Sequence, residues 1–465
     1  MIDFSKIEGL YFVGAGGIGM SALAFYFSEK GYTIAGYDRS SGSITDKLIE
    51  SGCGISFKDE IAQIPSYFRD IKNKREIVVV YTPAIPAQSK ILSYFRDNGY
   101  SLFKRSEILG EISLKTDTIA VAGTHGKTTV SAMTAHLLKQ SKVDCSAFLG
   151  GISKNYDSNI LTGSGRYTVM EADEFDRSFH RLSPLMAVVT SVDADHLDIY
   201  GDHGTMIEAY NEFCGKVRKD GIILINNHIK NKIHKPDNVA YHTYGGDKDA
   251  DFRYFDIEHK GDHYQFSLRM HDNRVIKNLT FPYPGIINIE NITAAIVIAL
   301  FCGVTEDEIR KGVQTYRGVR RRFDIRLNLP VLAYVDDYAH HPEEIRALIM
   351  SLREYFSGRK ITGIFQPHLF SRTRDHADGF ASALDELDET ILLPVYPARE
   401  NPIPGVTSEL IFNKMKTGRK SLCTMDDIPG ILDIKMLDVL VTIGAGDIDR
   451  LADPIEKKLK SEIMK

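Results

Sequence analysis

A chain of 465 residues exceeds what one hydrophobic core ordinarily supports, so several domains are expected, and three fit the pattern best. Its 57 Lys+Arg against 62 Asp+Glu leave a net charge of -5, which argues against a nucleic-acid partner and confines anionic ligands to local pockets. Cys53, Cys145, Cys214, Cys302 and Cys423 are scattered without C-x-x-C spacing, and neither a signal-like start nor a membrane-length apolar run is found; a cytoplasmic protein with no disulfide framework, zinc site or membrane partner is expected.

Gly9–Val13 reads as a strand, and Gly14-Ala15-Gly16-Gly17-Ile18-Gly19 opens a helix through Met20, Leu23, Ala24 and Phe27. A second strand over 32–37 ends at Asp38, where a Rossmann unit places the acid that binds a ribose hydroxyl. Gly14, Gly16, Gly17, Gly19 and Asp38 are therefore candidate ligand residues. Two readings stand open: an NAD site, or a Rossmann-like domain whose glycine turn holds another diphosphate, because such a loop recognises pyrophosphate geometry and not nicotinamide. Ile77–Tyr81 is a further strand, Thr82-Pro83-Ala84-Ile85-Pro86 marks a turn, and this domain is expected over residues 1–115.

A central domain is expected over 116–322. An apolar strand over 118–122 and a helix over 130–138 flank Gly123-Thr124-His125-Gly126-Lys127-Thr128-Thr129, which reads as a phosphate cradle. Lys127 would reach the β- and γ-phosphates of a nucleotide, and the Thr128 hydroxyl would ligate Mg²⁺. The strict Walker pattern is not met, since Val121 stands at its first glycine, and a Gly-Lys-Thr triplet can also simply start a helix. Here, however, strand, loop, lysine, paired threonines and helix arrive together. A strand over 167–170 leads to Glu171-Ala172-Asp173-Glu174-Phe175-Asp176, and one over 187–190 leads to Asp193-Ala194-Asp195-His196-Leu197-Asp198. One strand-end acid is usually a cap or a solvated charge; two acidic clusters beside a phosphate loop point to Mg²⁺, with His196 as a further candidate ligand. Residues 222–226 form another strand, and 241–281 read as an antiparallel addition. Asn288 reads as the N-cap of an apolar helix to Phe301, while the Asn291 amide suits the edge of adenine. Arg317, Arg320, Arg321 and Arg322 read either as a solvated run or as a phosphate clamp at a domain junction.

The last domain is expected over 323–465. A strand over 331–335 precedes Asp336-Asp337-Tyr338-Ala339-His340-His341-Pro342, where Pro342 suits the first turn of a helix. Ile361–Phe365 leads to Gln366-Pro367-His368-Leu369-Phe370-Ser371-Arg372-Thr373. Strands over 391–394 and Val439–Ile443 follow, the latter ending in Gly444-Ala445-Gly446-Asp447, and 455–463 reads as a surface helix. The fold class is α/β: a Rossmann-like domain, a P-loop ATPase-like mixed sheet and a second Rossmann-like domain.

G-T-H-G-K-T-T, E-A-D-E-F-D, D-A-D-H-L-D-x-Y, N-x-x-N-x-x-A-A, D-D-Y-A-H-H-P and F-Q-P-H-x-x-x-R-T, in this order, together resemble the Mur ligases of peptidoglycan synthesis. The segment Tyr11-Phe12-Val13-Gly14-Ala15-Gly16-Gly17-Ile18-Gly19-Met20-Ser21 is most similar to their alanine-adding branch. The resemblance implies domains for a UDP-sugar, for ATP and for an amino acid, and assigns the glycine turn to the UDP diphosphate. It implies ATP-dependent joining of L-alanine to the lactyl carboxylate of UDP-N-acetylmuramate through an acyl phosphate, with ATP and Mg²⁺ as cofactors. By the same resemblance, Lys127 and Thr128 hold the ATP phosphates and Mg²⁺, and Glu171 and His196 ligate a second Mg²⁺. Asn288 and Asn291 fall on the adenine side, and Arg321 on a phosphate-contacting hinge. Tyr338, His340, His368 and Arg372 match positions that close over nucleotide and amino acid, and His340 or His196 is a conceivable proton acceptor. Three departures stand out: Ile287 where relatives carry His, Leu369 where alanine-adding relatives often carry Arg, and no lysine at the position carbamylated in sister enzymes, near which Asn211 lies. The alternatives are a ligase of the same fold adding a whole peptide, an NAD-dependent dehydrogenase and a P-loop regulatory ATPase.

Overall fold

The computed structural model describes residues 2–83, 85–86, 88–194, 197–261, 263–398 and 400–463, without the side chains of residues 176, 197 and 198. Two compact units divide the chain: Met1–Pro282 with Ile289–Arg317, and Tyr283–Asn288 with Gly318–Lys465. Among the described residues the strands form three sheets, two in the first unit and one in the second.

The first sheet is parallel throughout, in the order Gly54–Ser56, Thr33–Tyr37, Gly9–Val13, Ile77–Tyr81, Ser101–Lys104. Its middle strands are almost wholly apolar because helices cover both faces, the pattern of a buried parallel sheet. The chain leaves Gly9–Val13 where the strand order reverses, so the glycine turn sits at the crevice in which open α/β sheets bind ligands. The two edge strands escape sequence reading because they are short and only partly buried.

The second sheet runs Val275–Phe281, His263–Arg269, Phe252–Lys260, Ala240–Gly245, Ile222–Asn226, Met186–Val189, Asp117–Ala122, Tyr167–Glu171, Cys145–Ser153, Ser158–Leu161. Antiparallel pairs lie at both ends of a parallel middle. The expected antiparallel addition holds for Phe252–Lys260 onward; Ala240–Gly245 instead extends the parallel set beside Ile222–Asn226. Asp117–Ala122 pairs with Met186–Val189 on one side and Tyr167–Glu171 on the other. Both acidic segments therefore leave the sheet next to the phosphate loop. Helix Lys127–Lys139 is buried from Thr128 to Leu138. The two sheets of this unit are joined by Asn159 Nδ2, which donates to the Ile18 carbonyl, and by Lys47 Nζ with Asp157 Oδ2 at 2.7 Å.

In the second unit the order is Asp324–Asn328, Ala333–Asp337, Val439–Ile443, Ile361–Phe365, Glu389–Leu392, Lys420–Leu422, with the first strand antiparallel to the second and the rest parallel. The strand expected at 331–335 begins at Ala333 instead. Leu329 and Leu332 exchange backbone hydrogen bonds, closing a hairpin turn with Val331 at its exposed tip. No described helix is long and apolar enough to cross a membrane.

Candidate active site

Gly123 and Gly126 have φ of 136° and 81°, and Gly126 caps helix Lys127–Lys139. A Cβ on Gly123 would lie 2.0 Å from Thr190 Oγ1, so glycine is required there for steric as well as conformational reasons. The loop is fastened to the neighbouring strand end. The Thr190 hydroxyl faces the carbonyls of Ala122 and His125, Ser191 Oγ accepts from the His125 N–H at 2.9 Å, and Thr124 Oγ1 accepts from the Asp193 N–H at 3.0 Å. A rigid turn running into a helix N-terminus aims backbone N–H groups at an anion.

Lys127 Nζ donates to the Gly123 carbonyl at 2.6 Å and to Glu174 Oε1 at 2.8 Å. Burial would lower the pKa of this lysine, but the carboxylates of Glu174, Asp173 and Glu171 outweigh it and hold the ammonium above its ordinary value. Burial pushes the Glu174 carboxyl up while Lys127 pulls it back, and the contact has the length of a charge-assisted bond. Glu171 Oε2 accepts from the Gly150 N–H at 3.0 Å; a Cβ on Gly150 would fall 2.3 Å from that oxygen. Thr128 and Glu171 offer hard oxygen donors, which fits Mg²⁺, a cation that takes few protein oxygens and completes its shell with phosphate and water. His196 and Asp195 lie outside the described residues.

Asn291 Oδ1 lies 3.0 Å from where a Cβ on Gly126 would stand, which places this amide beside the loop. Asn288 is not an N-cap. The helix Ile286–Phe301 starts two residues earlier, and Asn288 Nδ2 folds back to the Pro284 carbonyl at 2.6 Å.

At the glycine turn, the N–H groups of Gly14 and Ala15 donate to the Tyr37 carbonyl at 2.7 and 3.0 Å, and that of Gly16 to Asp38 Oδ2 at 2.7 Å. Asp38 thus uses one carboxylate oxygen to hold the turn. Gly17 precedes helix Ile18–Glu29 as its N-cap. A Cβ on Gly19 would lie 2.8 Å from Arg105 Nη1, so the last glycine makes room for a guanidinium that reaches Asp173 at 3.8 Å. No sequence motif singled out Arg105, because its place depends on two elements distant in the chain.

In the second unit, His340 Nδ1 lies 3.0 Å from the Tyr338 carbonyl and 3.3 Å from Glu344 Oε2. Burial, with help from Arg372 and against Glu344, lowers the His340 pKa and favours the neutral imidazole, the form able to accept a proton. The His340 and His368 rings are 6.0 Å apart, and Arg372 Nη1 is 3.5 Å from His368 Nδ1. Arg321, at φ 61°, donates to the Gly444 carbonyl and lies 3.5 Å from Asp336. The Arg321 and Arg322 guanidinium groups sit over the Tyr338 ring at 5.2 and 5.1 Å. Asp337 accepts from the N–H groups of Phe323 and Ala339 at 2.6 and 2.7 Å, and burial pushes its carboxyl up to about 6. Arg317 belongs to the first unit, where its N–H donates to Asn155 Oδ1, and Arg320, Arg321 and Arg322 belong to the second.

Three family models match in sequence: Mur ligase family, catalytic domain, over residues 9–116; Mur ligase middle domain over 121–299; and Mur ligase, glutamate ligase domain, over 321–446. The chain belongs to the Mur ligase family. It is 46% identical, over 100% of both chains, to the UDP-N-acetylmuramate--L-alanine ligase of Parabacteroides distasonis. It is 43% identical to the enzyme of the same name from Phocaeicola vulgatus, with 98% of each covered. Among solved structures, the UDP-N-acetylmuramate-alanine ligase MurC of Thermotoga maritima superposes with a TM-score of 0.82 at 25% identity, covering 98% of this chain and 99% of that one.

The three-domain α/β fold is that of the Mur ligases, and its departures from the family pattern can be placed. Ile287 is 52% exposed at the start of its helix. Leu369, at φ 71°, opens helix Phe370–Asp375 and leaves Arg372 beside His368. Asn211 is a structural residue: its amide bridges the Ile207 and Lys232 carbonyls and the His234 N–H.

Proposed function

We propose that this chain is an ATP-dependent ligase that joins L-alanine to the lactyl carboxylate of UDP-N-acetylmuramate, releasing ADP and phosphate, in cytoplasmic synthesis of peptidoglycan precursors. The observation that carries the reading is end-to-end similarity, at 46% identity, to a relative named for that reaction. The phosphate loop between two acidic strand ends supports it. The proposed domains are 1–115 for the sugar nucleotide, 116–322 for ATP and 323–465 for the amino acid.

A carboxylate resists attack by an amine, so the lactyl carboxylate first attacks the γ-phosphorus of ATP; ADP leaves and an acyl phosphate forms. The loop N–H groups and Lys127 hold the phosphates and oppose the charge that spreads over them. Thr128 and Glu171, with His196, would hold Mg²⁺, which supplies further charge neutralisation between the two anions. The turn of Gly14, Gly16 and Gly17 faces the UDP diphosphate, Gly19 leaves room beside it for Arg105, the Asp38 carboxylate serves the ribose, and Asn288 and Asn291 serve the adenine side. Tyr338, His368 and Arg372 bind the amino acid, whose carboxylate suits the arginine. Neutral alanine then attacks the acyl carbon, phosphate leaves, and His340 accepts the surplus proton.

The test is ADP formation measured with each substrate omitted in turn. Turnover that requires ATP, UDP-N-acetylmuramate and L-alanine together supports the reading. A tripeptide that replaces L-alanine with higher kcat/KM would reassign the chain to peptide addition. ATP hydrolysis indifferent to both other substrates would make it a regulatory ATPase, and binding of NADH without UDP-N-acetylmuramate would favour the dehydrogenase.

A further inference from the structure

Of the described carboxylates at the end of strand Tyr167–Glu171 and just beyond it, Glu171 and Asp173 are partly exposed, whereas the Glu174 side chain is 1% exposed. Its backbone is tied down, because its carbonyl accepts from the Tyr200 hydroxyl at 2.6 Å and from the Arg177 N–H at 3.0 Å. The buried carboxylate meets Lys127 Nζ at 2.8 Å, and the same ammonium lies 2.6 Å from the Gly123 carbonyl. Burying a carboxylate is costly unless it is paired, and here the pairing falls on the lysine of the phosphate loop.

We propose that Glu174 is a positioning residue for Lys127, fixing the direction of its ammonium across the loop and keeping its charge in place for the transferring phosphoryl group. This rests on the ligase reading above. Lysine is a flexible point charge, and an electrostatic group lowers a barrier only when it is already aimed where charge develops. Lys127 has three donors, directed at Glu174, at the Gly123 carbonyl and, at 3.4 Å, at the Thr124 carbonyl; a phosphate takes the place of the long carbonyl contact while the bond to Glu174 stays. Glu174 thus acts through the lysine and not on the substrate.

Glu174→Gln keeps the shape and removes the charge; Glu174→Asp keeps the charge and draws it back by one methylene. The expected result is that Gln lowers kcat by about tenfold or more while KM for ATP changes by less than about threefold, the signature of an interaction needed in the transition state. Asp should lower kcat less than Gln does. In the double variant with Lys127→Ala, the added Glu174→Gln should cost less than about threefold, because a positioning residue has nothing left to position. Wild-type kcat in Gln, or losses that multiply in the double variant, would overturn the proposal. Should Gln fail to fold, an Asp variant with wild-type kcat would overturn it equally. A wild-type enzyme whose ADP formation ignores sugar nucleotide and alanine would instead refute the ligase reading, and this inference with it.

Discussion

Replacing Lys127 with alanine removes an ammonium bonded both to the loop carbonyl of Gly123 and to Glu174. Turnover should fall by about 10²-fold or more with the fold intact, the scale for deleting a preorganised electrostatic group. Initial rates and circular dichroism of Lys127→Ala check this, and near-normal turnover would remove the loop from the mechanism. A second residue-level expectation concerns stability. His136 is buried between the Tyr156 hydroxyl at 3.1 Å and Thr315 Oγ1 at 3.0 Å, and burial lowers its pKa to about 4. Its value in the unfolded chain is about 6.5, so the unfolded chain takes up this proton first. The contribution is therefore fully present above about pH 6.5 and is lost as pH falls toward 4, by roughly 3 kcal/mol at most. Urea unfolding at several pH values should show a shallower decline for His136→Asn than for wild type; equal slopes would exonerate His136. Lys127, Thr128 and Glu171 stand out in the sequence as candidates because the spacing that marks them is local. Glu174 was visible only as one acid among four, since its meaning comes from a lysine 47 residues away. Asn288 carries the residue type of a cap without its position, because the apolar pair Ile286 and Ile287, 45% and 52% exposed, begins the helix ahead of it.

Among the elements, helix Ile18–Glu29 and helix Arg105–Ser113 meet at a point that a single methyl group would disturb. A Cβ on Gly19 stands 2.8 Å from Arg105 Nη1, the far end of a flexible side chain, so Gly19→Ala should fold and displace Arg105. The expected outcome is a several-fold rise in KM for UDP-N-acetylmuramate with KM for ATP little changed, because the disturbance lies at the glycine turn and not at the phosphate loop. Equal changes in both constants would mean that the two sites are not separable in this way. The long apolar strands could be read directly from composition. Gly54–Ser56 and Lys420–Leu422 could not, being three-residue edges without a buried face. The strand expected over 331–335 lies two residues later, at Ala333–Asp337, because Val331 and Leu332 continue the apolar run through a turn that backbone hydrogen bonds close; its antiparallel partner Asp324–Asn328 carries no such signal.

At the scale of the whole molecule, a Rossmann-like sheet, a phosphate-loop sheet and a second α/β sheet serve, in the proposed function, one chemical sequence: activation of a carboxylate, then its capture by an amine. The order of motifs along the chain made the three-part plan legible, while the division into compact units did not follow it, since Ile289–Arg317 packs with the first unit and Tyr283–Asn288 with the second. The central claim is that the lactyl carboxylate attacks ATP. It is tested most directly by enriching that carboxylate of UDP-N-acetylmuramate with oxygen-18 and following the label through a complete reaction with L-alanine. The account predicts one labelled oxygen in the released phosphate and the other retained in the new amide. Unlabelled phosphate, or label appearing in AMP, would contradict it.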